Sequence, residues 1–471
     1  MAATGPFGPR TEGADRADTM SGSDALLWTI GADPILRPTV VALLLLESTP
    51  DWPAVRDRIR GLTEAVPRLR ARAVDRLPVV RRPQFVPDPA FDLADHVRRL
   101  RLPARGGVRD VLDLAQTMAG SGCDPAFPLW EAVLVEGMED GRAALLVKVH
   151  HALIDGVGGL AVLAGLLDTV EPAAAPKERS AASKTPTASD LPEPPHHARD
   201  LSRAVELVDE GRDALFHPFR TLGQLRTLGA SVARLMAPAG RPVSTVMTAR
   251  GARRHAEIVG VDLRTLTDAA KAWGGTVNDV FVASVVRGLS LYHEQHGTVC
   301  TGFRVLMPIN VRGRSGGTGG GNHFVPARFV IPVHDDVAES VAEVRALAAA
   351  WKEAPGLAVS DVLATGLSTL PGPVARNLWG AMLRGTDVCV TNVPGPPGRT
   401  SIAGATVEGI YAFAPPSGGA LNVSLVSSAG KACIGITVDA AAVPDSAKLA
   451  GCLEDGFAEV CSARRTRPAP A

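Results

Sequence analysis

The sequence predicts an α/β protein built as two lobes, and three observations carry that reading. Strand-like and helix-like stretches alternate in both halves of the chain. At 471 residues the chain is long for a single core. Between residues 171 and 200 the composition shifts to Pro, Ala, Ser, Thr and Lys, with too little apolar content to form a core. The expected organisation is therefore a disordered tail over 1–19, a first lobe over 20–170, a linker over 171–200, bridging helices over 201–242, a second lobe over 243–463 and a tail over 464–471. A crevice between two such lobes is a natural place for a site.

In order, Ser21 to Asp24 lead into a short apolar helix or turn over Ala25 to Trp28. Residues 39–46 form a β-branched and Leu-rich strand without alternation, as expected of one buried on both faces. Asp51 is suited to cap a helix that tolerates Pro53 in its first turn. Trp52, Val55, Ile59, Leu62 and Val66 make its apolar stripe, and Pro67 ends it. A helix over 108–119 and a strand over 130–134 follow. In the second half, strands are expected over 259–263, 303–309, 324–333, 388–390, 409–413, 421–427 and 432–438, with helices over 266–273 and 277–292 and a helical stripe from Val337 to Trp351. Residues 312–321 hold six glycines among ten, without a phosphate-loop lysine, and read as a mobile connection.

Composition narrows the function. Lys plus Arg and Asp plus Glu both number 49, so no basic footprint for nucleic acid exists. Arginines cluster between Arg56 and Arg105, where solvated helix and strand faces are the simplest reading. A contact with coenzyme phosphates or an anionic membrane is the sharper one. Mean hydropathy is +0.12 and aromatics are only 4%, so Ala, Val and Leu must fill the cores. Six scattered cysteines without a CxxC pair suggest a reducing cytoplasm rather than a disulfide framework. Residues 1–18 lack the apolar core of a signal peptide, and the apolar run 40–46 is far short of the ~20 residues of a membrane span. Any membrane association is expected to be peripheral.

The chemistry centres on residues 145–159, where two histidines close an apolar run and Asp155-Gly156 follows. Leu145, Val147 and Val149 alternate as on a strand, and His151 continues their face while His150 points away with Leu146 and Lys148. Asp155 to Gly159 supply turn chemistry before a helical run at Leu160, Leu163, Leu166 and Leu167. A histidine at a strand-to-helix turn suits a general base, because its ordinary pKa lies near neutrality. The competing readings are a core histidine beside a turn aspartate, and a metal site. No further His/Cys cluster completes a ligand set, and the glycines disfavour the helix that such a pair would need, so no metal is expected.

His150-His151-Ala152-Leu153-Ile154-Asp155-Gly156 fits the HHxxxDG signature of the CoA-dependent acyltransferase superfamily. The whole chain, from about Ser21 to about Val460, resembles the bacterial wax ester synthase/acyl-CoA:diacylglycerol acyltransferase family. Its further marks are Pro128, Leu129, Trp130 and Glu131; Asn278, Asp279 and Val280; Pro308 to Arg312; Gly321-Asn322; and Thr391 to Pro396. The resemblance implies two chloramphenicol-acetyltransferase-like lobes with a substrate tunnel between them. Acyl-CoA would enter from one side and diacylglycerol or a long-chain alcohol from the other, at a peripheral membrane or lipid-droplet surface. It implies no cofactor, since acyl-CoA is a substrate. It further implies that His151 removes the acceptor's hydroxyl proton, with His150 shaping the site, Asp155 holding the loop by pairing with an arginine, and Gly156 admitting a close backbone approach. Same-fold enzymes acting on other hydroxyls or amines, peptide-synthetase condensation domains and a non-catalytic lipid-binding relative are the rival readings.

The remaining candidates each have a structural explanation beside the functional one. Thr276 to Asp279 is close to a capping box, which accounts for the carboxylate of Asp279 without catalysis. The resemblance marks Asn278 and Asp279 as important near the tunnel. Pro128, Leu129 and Trp130 place a buried aromatic before a strand, or line a substrate channel. Phe127 departs from the resemblance, standing where many relatives carry a polar or basic residue, which bears on acceptor choice. Asn392 either donates to the oxyanion or to CoA, or stabilises its turn; Ser424 and Ser427 are weaker candidates.

Overall fold

The structure is a computed structural model. It describes residues 18–75, 82–154, 156–170, 240–310, 324–352, 364, 366–368 and 370–462. The expected linker over 171–200, almost all of the bridging segment, the glycine-rich loop over 312–321 and the last tail lie outside the described residues.

Two large sheets dominate. The first has the order β5 (Val97–Gly106), β6 (Trp130–Met138), β7 (Ala143–His150), β2 (Thr39–Leu46), β14 (Ala405–Phe413), β13 (Thr400–Ile402) and β8 (Asp168–Thr169). Only the β5–β6 pair is parallel among its central strands; β6–β7, β7–β2 and β2–β14 are antiparallel. The second sheet has the order β11 (Phe324–Pro332), β10 (Gly302–Asn310), β12 (Val388–Pro394), β15 (Leu421–Ser428), β16 (Lys431–Asp439) and β9 (Arg254–Asp262). Its centre, β10–β12–β15, is parallel. A small third sheet joins β1 (Asp18–Thr19), β4 (Gln84–Pro87) and β3 (Ala71–Val74), so two residues expected in the disordered tail are strand.

Helices form where caps and apolar stripes coincide. Ser21 caps α1 (Gly22–Ile30) by accepting from the Asp24 amide, and Asp51 caps α2 (Trp52–Ala65) with Pro53 in the first turn. The short α3 (Leu93–His96) precedes α4 (Val108–Gly120), which packs Val111, Leu112, Ala115 and Met118 on the first sheet. Then come α5 (Gly156–Ala164), α6 (Leu263–Trp273), α7 (Val277–Glu294), α8 (Val337–Lys352), α9 (Gly372–Leu383) and α10 (Ser446–Ser462). Gly274, at φ 66°, ends α6 in the left-handed conformation that glycine adopts freely.

Three cores hold these layers. Leu44, Leu46, Leu145 and Leu134 face one side of the first sheet with α2, while Val41, Leu43, Leu146 and Val135 face α4 on the other. Thus the strand over 39–46 is buried on both faces, as its unbroken apolar run requires. The third core fills the second sheet's far side beneath α6, α7, α8 and α10.

The boundary between lobes is crossed by the chain itself. Thr400–Phe413 follows the second lobe's β12 yet pairs into the first sheet against β2 and β8. The sheets meet where β14 crosses β16: a Cβ on Gly435 would stand 2.2 Å from the carbonyl oxygen of Ala412, so only glycine admits that approach. The core against α4 accordingly includes Ala256 of β9 and Phe413 of β14, and Arg109 of α4 reaches Glu257 at 2.9 Å and the Ala256 carbonyl at 2.9 Å.

Candidate functional site

β7 ends at His150, and residues 151–153 turn toward α5. The strand thus stops one residue before His151, which sits in the turn rather than on the strand's apolar face. Three backbone bonds fix this turn. The His150 amide donates to the Leu129 carbonyl at 3.0 Å, the His151 amide to the Pro38 carbonyl at 2.8 Å, and the Leu153 amide to the His150 carbonyl at 2.9 Å. The residues just before both neighbouring strands, Leu129 before β6 and Pro38 before β2, therefore clamp the histidine pair.

The two rings differ sharply in environment. His150 is 5% exposed, and its Nδ1 accepts the Ala152 amide at 3.2 Å. Trp28 of α1 meets the ring edge-on at 5.8 Å. Burial first, then the neighbouring His151 and Arg37, push its pKa down to about 3, so His150 is neutral near neutrality. With Nδ1 accepting, the proton of the neutral ring is on Nε2. His151 is only partly buried.

Arg68 supports the turn from below. One of its Nη atoms donates to the Leu153 carbonyl at 3.4 Å, another hydrogen-bonds Asp18, and Asp24 lies 3.8 Å away. Its guanidinium lies over the Phe85 ring at 4.8 Å. Asp155 itself lies outside the described residues, so its pairing is not described; Gly156 opens α5.

Two residues before His150, Lys148 is buried at 3% side-chain exposure with all three ammonium hydrogens used. They reach Glu131 Oε1 at 2.8 Å, Ser121 Oγ at 2.8 Å and the Gly122 carbonyl at 2.9 Å. The ion pair thereby ties the end of α4 to the sheet beside the histidines.

The other predicted residues separate into two places. Leu129 is fully buried and its carbonyl receives His150, and the Pro128 carbonyl accepts the Trp130 amide at 2.8 Å. Trp130, 7% exposed, stacks on His96 at 4.7 Å and donates its indole N–H to the Leu69 carbonyl at 2.7 Å. Its ring is a core element with its one donor already used. In the second lobe, Asp279 Oδ2 accepts the Thr276 amide at 2.8 Å and the Asp279 amide donates to Thr276 Oγ1 at 3.3 Å, a complete capping box. Asn278 is partly buried with its Nδ2 at 3.6 Å from Met307 Sδ. Asn392 is exposed on β12. Ser424 is buried and donates to Asn422 Oδ1 at 2.6 Å, whereas Ser427 is partly buried at the end of the same strand. Sequence reading missed Trp28, Gly31, Arg68 and the Lys148–Glu131 pair as parts of the histidine site. Among the described residues, no group of three or more His, Cys, Asp or Glu could hold a metal ion.

Comparison with known proteins places the chain. A family profile described as the wax ester synthase/diacylglycerol acyltransferase catalytic domain matches residues 20–281, and one described as the C-terminal domain of the same family matches 320–460. A putative diacylglycerol O-acyltransferase of Mycobacterium tuberculosis is 33% identical over 457 residues, covering 94% of this chain and 92% of that protein. Among solved structures, the wax ester synthase/diacylglycerol acyltransferase of Marinobacter aquaeolei superposes with a TM-score of 0.62 at 21% identity, covering 94% of this chain and 98% of that one. The first condensation domain of the calcium-dependent antibiotic synthetase gives a TM-score of 0.55 at 16% identity, covering 95% and 97%. The fold is thus the two-lobe, chloramphenicol-acetyltransferase-like architecture that these structures share.

Proposed function

The chain belongs to the wax ester synthase/diacylglycerol acyltransferase family and is an acyltransferase; from that premise we propose that it transfers the acyl group of an acyl-CoA to the hydroxyl of diacylglycerol or of a long-chain alcohol. The products are triacylglycerol or wax ester. The observation that carries the assignment of roles is the contrast within the histidine pair. His150 is enclosed, neutral and bonded to its own turn, while His151 is only partly buried.

In the reaction we infer, His151 takes the proton from the acceptor hydroxyl as its oxygen attacks the thioester carbonyl. The tetrahedral oxyanion collapses, the C–S bond breaks, and the proton on His151 leaves with the CoA thiol. The thioester is already activated, so no acyl-enzyme is needed. A placed base contributes roughly 10²–10⁴-fold to such a step, about 3–5 kcal/mol of barrier. Arg68 holds the turn in this reading, and Asp279 serves the fold of α7 rather than the chemistry.

Substrates with such chains reside in a bilayer or lipid droplet, so the enzyme acts as a peripheral protein at the cytoplasmic face of the membrane or at a droplet surface. Among the described residues no helix is long and apolar enough to cross a membrane, in keeping with peripheral attachment.

The test is thiol release from palmitoyl-CoA with dipalmitoylglycerol or hexadecanol as acceptor, beside His151→Ala. Release that requires an acceptor and falls at least a hundredfold in the variant is expected. Undiminished release in His151→Ala would remove the histidine from the mechanism. Release with neither lipid acceptor, but with another hydroxyl or an amine, would move the enzyme to a different acceptor class.

A further inference from the structure

A narrow cleft lies between the two lobes, on the α4 side of the first sheet, with about 280 Å³ of space between atoms, part of it open to solvent. Its polar walls come from two separated parts of the chain: Arg37 and Thr39, at the start of β2, and Thr437 of β16 in the second sheet. Arg254 of β9 completes the polar lining, and the rest is largely proline and alanine with the Phe413 ring.

Three polar atoms in this cleft are buried without a hydrogen-bond partner: Arg37 Nε, Thr39 Oγ1 and Thr437 Oγ1. Both threonines are only 2% exposed, so neither hydroxyl has water to turn to at the surface. A buried polar group left unpaired costs about 1–3 kcal/mol, and three converging on one space is a pattern that a bound species relieves.

Charge identifies that species. Among the described residues no carboxylate pairs with Arg37, whose Nη1 is bonded only to the neutral Gly120 carbonyl. Arg254 is different: it is compensated by Asp439 at 3.3 Å and also donates to the Ile35 carbonyl at 3.0 Å. The Arg254 pKa is lowered by burial and, among smaller influences, by the charge of Arg37, which places the two guanidiniums within electrostatic reach of each other. Asp33 also lies within electrostatic reach of Arg254 but is paired with Arg384 at 3.6 Å, so no carboxylate is bonded to the Arg37 guanidinium among the described residues. A water molecule would satisfy hydrogen bonds but leave that charge, whereas an anion accepts all three donors and neutralises it between apolar walls where screening is weak.

We propose that the cleft binds one small inorganic anion of halide size, held by Arg37 Nε, Thr39 Oγ1 and Thr437 Oγ1, and that this anion braces the two lobes against each other. Thr39 pairs directly with His150 across β2 and β7, so the brace sits on the strand pair that presents the histidines.

The experiment compares unfolding of the full chain in sodium chloride and in sodium gluconate at one ionic strength. A ligand that binds only the folded state raises the folding constant tenfold for each tenfold rise in its concentration above its dissociation constant. The expected result is that dependence on chloride in the wild type, its absence in gluconate, and its loss in Arg37→Gln and Thr437→Val. Crystals grown in bromide should show an anomalous peak within hydrogen-bond reach of Thr437 Oγ1, an outcome that needs no variant to fold. Identical stability in chloride and gluconate together with no bromide peak would overturn the proposal in favour of a water. Stabilisation by phosphate but not by chloride would overturn the halide size.

Discussion

The ring of His150 occupies the space that a side chain at residue 31 would need: a Cβ on Gly31 would stand 2.9 Å from His150 Nε2. Gly31 caps α1, whose Trp28 packs on the same ring, so the first helix and the histidine turn are fitted to each other at one atom's clearance. Gly31→Ala must push the ring or the helix aside. Overpacking of this kind costs about 1–3 kcal/mol. Chemical denaturation should show that loss, and acyl transfer should fall with it because the His151 backbone is anchored in the same turn.

Stability should depend on pH through His150. Its folded pKa is depressed, to about 3, from an unfolded value near 6.5. Above pH 6.5 both states leave it neutral and its contribution is fully present. As pH falls below 6.5 the unfolded chain takes up a proton that the folded protein refuses, so stability is lost, by at most about 1.4 kcal/mol per pH unit, until the folded ring itself titrates near 3. Unfolding midpoints measured from pH 7 to pH 4.5 should fall less steeply in His150→Gln, by close to one proton's worth of slope. Equal slopes in the two proteins would show that His150 is protonated in the folded state.

The Lys148–Glu131 pair should respond unequally to its two truncations. Glu131→Ala leaves a buried ammonium with only neutral acceptors, a loss of roughly 2–3 kcal/mol, discounted from a fully buried pair because Glu131 is 24% exposed. Lys148→Met removes the buried charge together with its desolvation cost and should destabilise less. Thermal unfolding of the two variants and of the double variant checks this order.

Asp279 should behave as a cap. Asp279→Ala and Thr276→Ala each break the same reciprocal pair and should each cost about 1 kcal/mol, with a double variant costing less than the sum. kcat/KM of the folded Asp279→Ala enzyme should stay within a few-fold of wild type; a hundredfold loss at unchanged stability would place this carboxylate in the reaction.

Much of this was legible in the sequence because it is local. The capping boundary at Thr276 and the Asp51 cap each depend on a few adjacent residues, and each forms as the pattern requires; the passage from β7 to α5 was legible as strand, turn and helix, but the strand stops at His150 and the helix already begins at Gly156, within the glycines expected as turn. Element ends moved outward: β9 begins at Arg254 rather than 259, and β12 continues to Pro394 through its turn-like proline and glycine neighbours. Whole elements escaped where periodicity was masked. β5 carries Arg98, Arg99 and Arg101, which pair with acids or face solvent, and reads as a charge run rather than a strand. α9 and α10 have stripes diluted by alanine and glycine. What no local pattern could supply was partnership across distance: Arg68 under Leu153, Gly31 against His150, Thr39 beside His150, and β14 in the other lobe's sheet.

That last pairing constrains how the protein can be made. While the chain is being synthesised, β2 and β7 can associate early, but the free edge of β2 has no neighbour until residues 405–413 leave the ribosome. Through most of translation the first sheet therefore presents an open, strongly apolar edge, the kind of surface on which nascent chains stick to one another. The first half cannot complete its own sheet, whereas every strand of the second sheet comes from residues 254–439. A truncation anywhere before Phe413 should yield insoluble protein rather than a working fragment.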